Sequence, residues 1–245
     1  MAEQLGLFVV LEGADGCGKS GITDHLVPAL QAAGHAVRRI ERGRPTGDPA
    51  HADLVRAVNR LFRSPQATAT GWEHLTLAAA AQYHSILHAQ VAPAVAAGQI
   101  VIAESWWDKT WVRLGLEAEL SQGLDVRRRQ QLEAWQRSLL PPGPLPAHQR
   151  LTVLVDTPQQ DRVTWYKAAH CPDPVLSRTG VWSHDPDEYG DFTEHIAVRL
   201  RHVAAQQGWP AVTNSCRRTP AQVAADLCDL VERRTRSTVP APEPT

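Results

Sequence analysis

The chain has 245 residues, 43% of them apolar and 21% charged, with a formal net charge of −1. That composition supports one packed α/β domain and excludes global disorder, while near-neutral charge leaves no broad footprint for a nucleic acid polymer or an anionic membrane. No apolar run approaches the ~20 residues of a membrane span. Met1-Ala2-Glu3-Gln4 lacks the basic start of a secretory signal, and Cys17, Cys171, Cys216 and Cys228 form no C-x-x-C pair, so a reduced, cytoplasmic setting is expected.

In chain order, Leu7–Leu11 is a short apolar run that reads as a buried parallel strand. Asp24–Ala33 reads as a helix that Gly34 stops, and Val37–Ile40 as a second strand. The Arg-, Gly- and Pro-rich segment Arg42–Pro49 predicts a loop, followed by helices around His51–Arg63 and Trp72–Ala97. Gln99–Ala103 is the third strand, Asp125–Leu139 a polar helix, and Leu151–Asp156 the fourth strand. Asp161–Tyr189 is mixed in character, Phe192–Gln207 is helical, Ala211–Thr213 is a short fifth strand, and Pro220–Arg233 is a last helix. Strands alternating with helices predict a parallel sheet of about five strands with right-handed crossovers. The expected organisation is one domain over 1–234, with a lid near 161–191, and a disordered Pro-rich tail over 235–245.

Gly13-Ala14-Asp15-Gly16-Cys17-Gly18-Lys19-Ser20, continuing into Gly21, matches G-x-x-x-x-G-K-[ST] in full, between an apolar strand and a helix. Its glycines let the backbone wrap and point N–H groups at phosphate oxygens, and the helix N-terminus adds the positive end of its dipole. Lys19 is placed to reach the outer phosphates of a nucleoside triphosphate and Ser20 to ligate magnesium, so ATP and Mg²⁺ are the expected cofactors and the fold class is the P-loop NTPase kind.

From Phe8 to Ser20 the sequence resembles the opening of thymidylate kinases: an apolar strand, Glu-Gly, an acid inside the loop, then Gly-Lys-Ser. The layout is similar over roughly residues 5–232, with Gly98–Ile102, Leu151–Pro158 and Val212–Asn214 standing where that family has its later strands. The resemblance implies transfer of phosphate from ATP to a nucleoside monophosphate, and a homodimer. It implies that Asp15 contacts the acceptor sugar, that Glu104 orients the acceptor oxygen or magnesium water, and that lid cations (Arg162, Lys167, Arg178) neutralise the transferring group, because Gly16 stands where some members carry an arginine. Asp15 reads equally as a turn residue bonding its own backbone.

Three departures bear on the acceptor. Glu104-Ser105-Trp106 replaces the family's Asp-Arg-Tyr, Ala81 stands at the place of a helix arginine, and the Arg-Glu-Pro element survives only as Glu41-Arg42-Gly43-Arg44-Pro45. An acceptor monophosphate needs such donors. Either Arg42, Arg44 and Arg113 compensate, or the acceptor is not ordinary thymidylate. Trp106 and Trp107 read either as base-stacking surface or as core. Two further functions stay open: a kinase of an unphosphorylated nucleoside or other small metabolite, with Glu41 a second base candidate, and a P-loop protein that binds nucleotide without transfer. The acids Asp185, Asp187, Glu188 and Asp191 read as a solvated loop.

Overall fold

The structure is a computed structural model that describes residues 6–41, 49–63, 71–139, 144–170, 174–176 and 182–237. Five parallel strands form its centre: β1 (Leu7–Glu12), β2 (Val37–Ile40), β3 (Ile100–Glu104), β4 (Arg150–Asp156) and β7 (Ala211–Thr213), in the order β2-β3-β1-β4-β7. A strand buried on both faces needs no polar alternation, and every residue of β1 is buried. Phe8 and Val10 pack on one face with Val101 and Ala103 of β3. Leu7, Val9 and Leu11 pack on the other with Ile100, Ile102, Val153 and Val155.

Helices cover both faces. Helices α1 (Lys19–Ala32) and α9 (Pro220–Ser237) lie on the second face, where Ile22, Leu26 and Leu30 meet Val223, Leu227 and Val231. The first face carries α3 (Trp72–Ile86), α5 (Trp107–Gln122) and α8 (Pro186–Gln207), whose Tyr83, Trp111 and Ile196 share one apolar cluster. Among the described residues the other α-helices are α2 (Pro49–Arg63), α4 (Ala92–Ala96), α6 (Val126–Ser138) and α7 (Gln159–Ala168).

Several predicted elements shift. The helix expected over Trp72–Ala97 is interrupted by a π-helical turn at Leu87–Val91, just ahead of Pro93, which has no N–H to continue the ladder. Helix α5 was not read from sequence, because Trp106-Trp107-Asp108-Lys109 masks its apolar stripe. The mixed segment after α7 contains two short antiparallel strands, β5 (Val175–Leu176) and β6 (Trp182–Ser183). Helix α8 begins at Pro186 rather than Phe192: the Asp185 carboxylate accepts the N–H groups of Asp187 and Glu188. Asp187 and Glu188 therefore sit in a first turn, where negative charge meets the positive helix end, and not in a loop. Helix α9 runs to Ser237, past the boundary set at 235, and residues 238–245 lie outside the described residues.

Candidate active site

The phosphate loop follows β1 at the carboxyl edge of the sheet. Gly16 and Gly18 have φ of 74° and 82°, which glycine adopts freely and other residues do not. A Cβ on Gly18 would stand 2.4 Å from Nδ2 of Asn214, and one on Gly16 would stand 2.2 Å from the Tyr189 hydroxyl. The loop is held from outside by two side chains at strand ends. Asn214 Nδ2 donates to the Cys17 carbonyl at 2.8 Å, and Thr157 Oγ1 donates to the same oxygen at 3.2 Å. Buried Cys17 itself packs into the second face of the core. Gly21 lies in the first turn of α1.

Lys19 folds back over this loop, its Nζ donating to the carbonyls of Gly13 and Ala14 at 2.9 Å each and to Cys17 Sγ at 3.2 Å. Ser20 Oγ donates to Glu104 Oε2 at 2.5 Å. Sequence positions 84 apart thus meet because β1 and β3 are neighbours, with Leu11 in register with Glu104. Glu104 also pairs with Arg39 of β2, which bonds Asp24 as well. Among the described residues no group of three His, Cys, Asp or Glu side chains forms. A hydroxyl and a carboxylate side by side are hard oxygen donors that suit magnesium, which keeps several waters and takes much of its shell from phosphates.

Asp15 points to α5. Its Oδ1 accepts from Lys109 Nζ at 2.7 Å and its Oδ2 from Arg113 Nη1 at 3.2 Å, while Arg113 Nε donates to Glu117 at 2.8 Å. Burial acts to raise the Asp15 carboxyl, but Lys109 and Arg113 outweigh it and hold the group far below the usual carboxylate range. Burial lowers the Lys109 ammonium against the pull of Asp15. Beneath them lies Glu12, fully buried, with Oε1 accepting the Trp106 N–H at 2.9 Å. Burial first, then Asp108, raises the Glu12 carboxyl to about 7.

Residues named from sequence divide clearly. Lys19, Ser20, Glu104, Asp15 and Arg113 come together with the loop glycines. Arg42, Arg44 and Arg178 lie outside the described residues, and Glu41 is exposed after β2. Three placements correct the sequence reading. Trp106 and Trp107 are core: they are 2% and 4% exposed, and both rings meet Tyr83 edge-on. They offer no face for a base.

Arg162 is not a free lid cation. It is completely buried, bonding the Thr157 carbonyl and Glu194, so its charge is spent on tying α7 to α8. Lys167 is exposed on the same helix. Ala81 is exposed on α3, whereas Tyr83 points inward and bonds Thr110 of α5 at 2.7 Å.

Sequence reasoning missed Glu12, Lys109, Thr157 and Asn214. The Glu-Gly pair before the loop was the one signal for Glu12. Lys109 needed helix α5 to be recognised, since it follows Glu104 by five residues on a segment without clear periodicity.

No protein-family model matches the chain. The thymidylate kinase of Ruegeria pomeroyi is 31% identical over 197 residues, which cover 80% of this chain and 78% of the relative. The thymidylate kinase of Synechococcus sp. strain JA-2-3B'a(2-13) is 28% identical over 228 residues, covering 93% and 95%. That of Alkalilimnicola ehrlichii is 28% identical over 211 residues, covering 84% and 88%. Identity of this extent, joined to a complete phosphate loop on a five-stranded parallel sheet, means that the chain belongs to the thymidylate kinase family of ATP-dependent nucleotide kinases.

Proposed function

We propose that this chain, with magnesium, moves the γ-phosphoryl group of ATP to a nucleoside monophosphate that ordinary thymidylate represents poorly. The observation that supports transfer is the 2.5 Å contact between Ser20 and Glu104 beside Lys19. It joins the phosphate cradle to the carboxylate at the end of β3, where an acceptor oxygen would be oriented. Magnesium would supply charge neutralisation on the phosphates; Ser20 and Glu104 are the residues that would hold it. Lys19 would exchange its contacts with the loop carbonyls for the outer phosphates, and the loop N–H groups would orient them. The protein's contribution is positioning and charge, with no covalent intermediate on the enzyme.

The acceptor side supports a departure from thymidylate. Ser105 follows Glu104 where the family has arginine, and it sits with φ of 58° at the turn into α5. A hydroxyl on so short a stem makes no bidentate contact with a phosphate. That same feature favours the second reading, a kinase of uncharged nucleosides. Steady-state kinetics with ATP across nucleosides and nucleoside monophosphates separate them. A monophosphate other than thymidylate should be best, with thymidylate kcat/KM below about 10⁵ M⁻¹s⁻¹. A thymidylate value at or above that level would return the chain to plain thymidylate kinase activity, and a nucleoside as best acceptor would establish the second reading.

A further inference from the structure

Lys109 is an expensive residue to bury. It is 8% exposed in a helix whose neighbours Trp107 and Trp111 belong to the core. An ammonium taken out of water is destabilising unless paired, and an apolar side chain would fill the same place at lower free energy. Its partner is a phosphate-loop carboxylate, Asp15, at 2.7 Å. Arg113, four residues on and so on the same helical face, reaches the other oxygen of that carboxylate. Lys109, Arg113 and Lys19 all act on Asp15, and Glu117 is the further carboxylate bound to the group. Lys109 and Arg113 thus face Asp15 and Glu117, while Lys19, the residue for the outer phosphates of ATP, is acted on by buried Glu12 as well. One side of Asp15 stays open, its side chain 36% exposed.

We propose that Lys109 and Arg113 are the clamp for the acceptor's phosphate, with Asp15 holding them in place until that phosphate arrives. The clamp then lies on α5 and not after β3, which accounts for a serine at position 105. A phosphomonoester dianion offers both cations a charged partner in exchange for Asp15; a neutral nucleoside does not. In this arrangement Asp15 is a positioning residue, since both its oxygens already accept from cations. The inference rests on the monophosphate reading above and deepens that part of it alone, because a clamp on α5 serves the phosphate of any nucleoside monophosphate.

The test uses the full chain with the best monophosphate of the kinetic panel. In Lys109→Met the KM for that acceptor should rise by about tenfold to a hundredfold, the loss of one charged hydrogen bond, with the KM for ATP within about twofold of the original. Lys109→Arg should recover most of the loss, which a merely structural lysine would not require. Inorganic phosphate should inhibit the unmodified enzyme competitively against the acceptor and not against ATP, a readout that stands even if Lys109→Met fails to fold. An unchanged acceptor KM in Lys109→Met, equal rises in both KM values, or phosphate competing with ATP overturns the clamp while leaving monophosphate kinase activity intact. A wild-type preference for uncharged nucleosides overturns the monophosphate reading itself, and the clamp with it.

Discussion

Replacing Arg162 distinguishes a structural guanidinium from a catalytic one. The side chain is fully buried; it donates to the Thr157 carbonyl and to Glu194, and lies 3.4 Å from Thr193 Oγ1. In Arg162→Met the volume is largely kept. Glu194 is not stranded, because it retains Arg201 at 3.0 Å. The Thr157 carbonyl, in a residue 1% exposed, does lose its donor. Leaving such a group unsatisfied costs about 1–3 kcal/mol, so about 2 kcal/mol is expected for Met. Arg162→Ala adds a cavity and should cost about 4 kcal/mol, near the usual range for breaking a buried pair. At roughly 2–4 °C per kcal/mol for a chain of this size, the Ala variant should melt about 8–16 °C lower. Urea unfolding followed by tryptophan fluorescence measures the stability, and kcat of the folded enzyme, expected within about threefold of the original, measures catalysis. If both variants keep their stability within about 0.5 kcal/mol while kcat falls a hundredfold or more, Arg162 serves the transferring phosphate and the structural reasoning fails.

Two other perturbations follow from the loop and its floor. Glu12 has its carboxyl raised from the ordinary 4.5 to about 7, so between those values the folded chain binds more protons than the unfolded chain. Stability should therefore fall as pH rises from about 4.5 to 7, by roughly 3 kcal/mol in all, and Glu12→Gln should flatten that fall while keeping an acceptor for the Trp106 N–H. Unfolding free energies measured at intervals across this range decide it; a slope unchanged in Glu12→Gln assigns the dependence to another group. In Gly16→Ala the new methyl meets both a φ of 74° and the Tyr189 hydroxyl at 2.2 Å. The variant should lose about 1–2 kcal/mol from backbone strain plus a packing term, and Tyr189→Phe in the same chain should return only the second part. Equal stabilities of the single and double variants would show that Tyr189 yields freely.

Sequence alone determined the five strands of the central sheet in chain order and the phosphate loop. An unbroken apolar strand, Gly13–Ser20 and a following helix are local features, set by backbone freedom at glycine and by hydrophobic period, and local physics is written in consecutive residues. Resemblance over Phe8–Ser20 carried the family as well. The roles of single side chains away from the loop were a different matter. Arg162 and Lys109 are both cations in weakly periodic segments, yet one ties two helices together in the core and the other faces the phosphate loop. Trp106 and Trp107 adjoin Glu104 in sequence but turn inward onto Tyr83. The difference lies in which neighbours each side chain meets, and those neighbours, such as Glu194 for Arg162 and Asp15 for Lys109, are 32 and 94 residues away. Burial and pairing set what a charge can do, and both are decided only when the sheet brings distant strand ends to one edge.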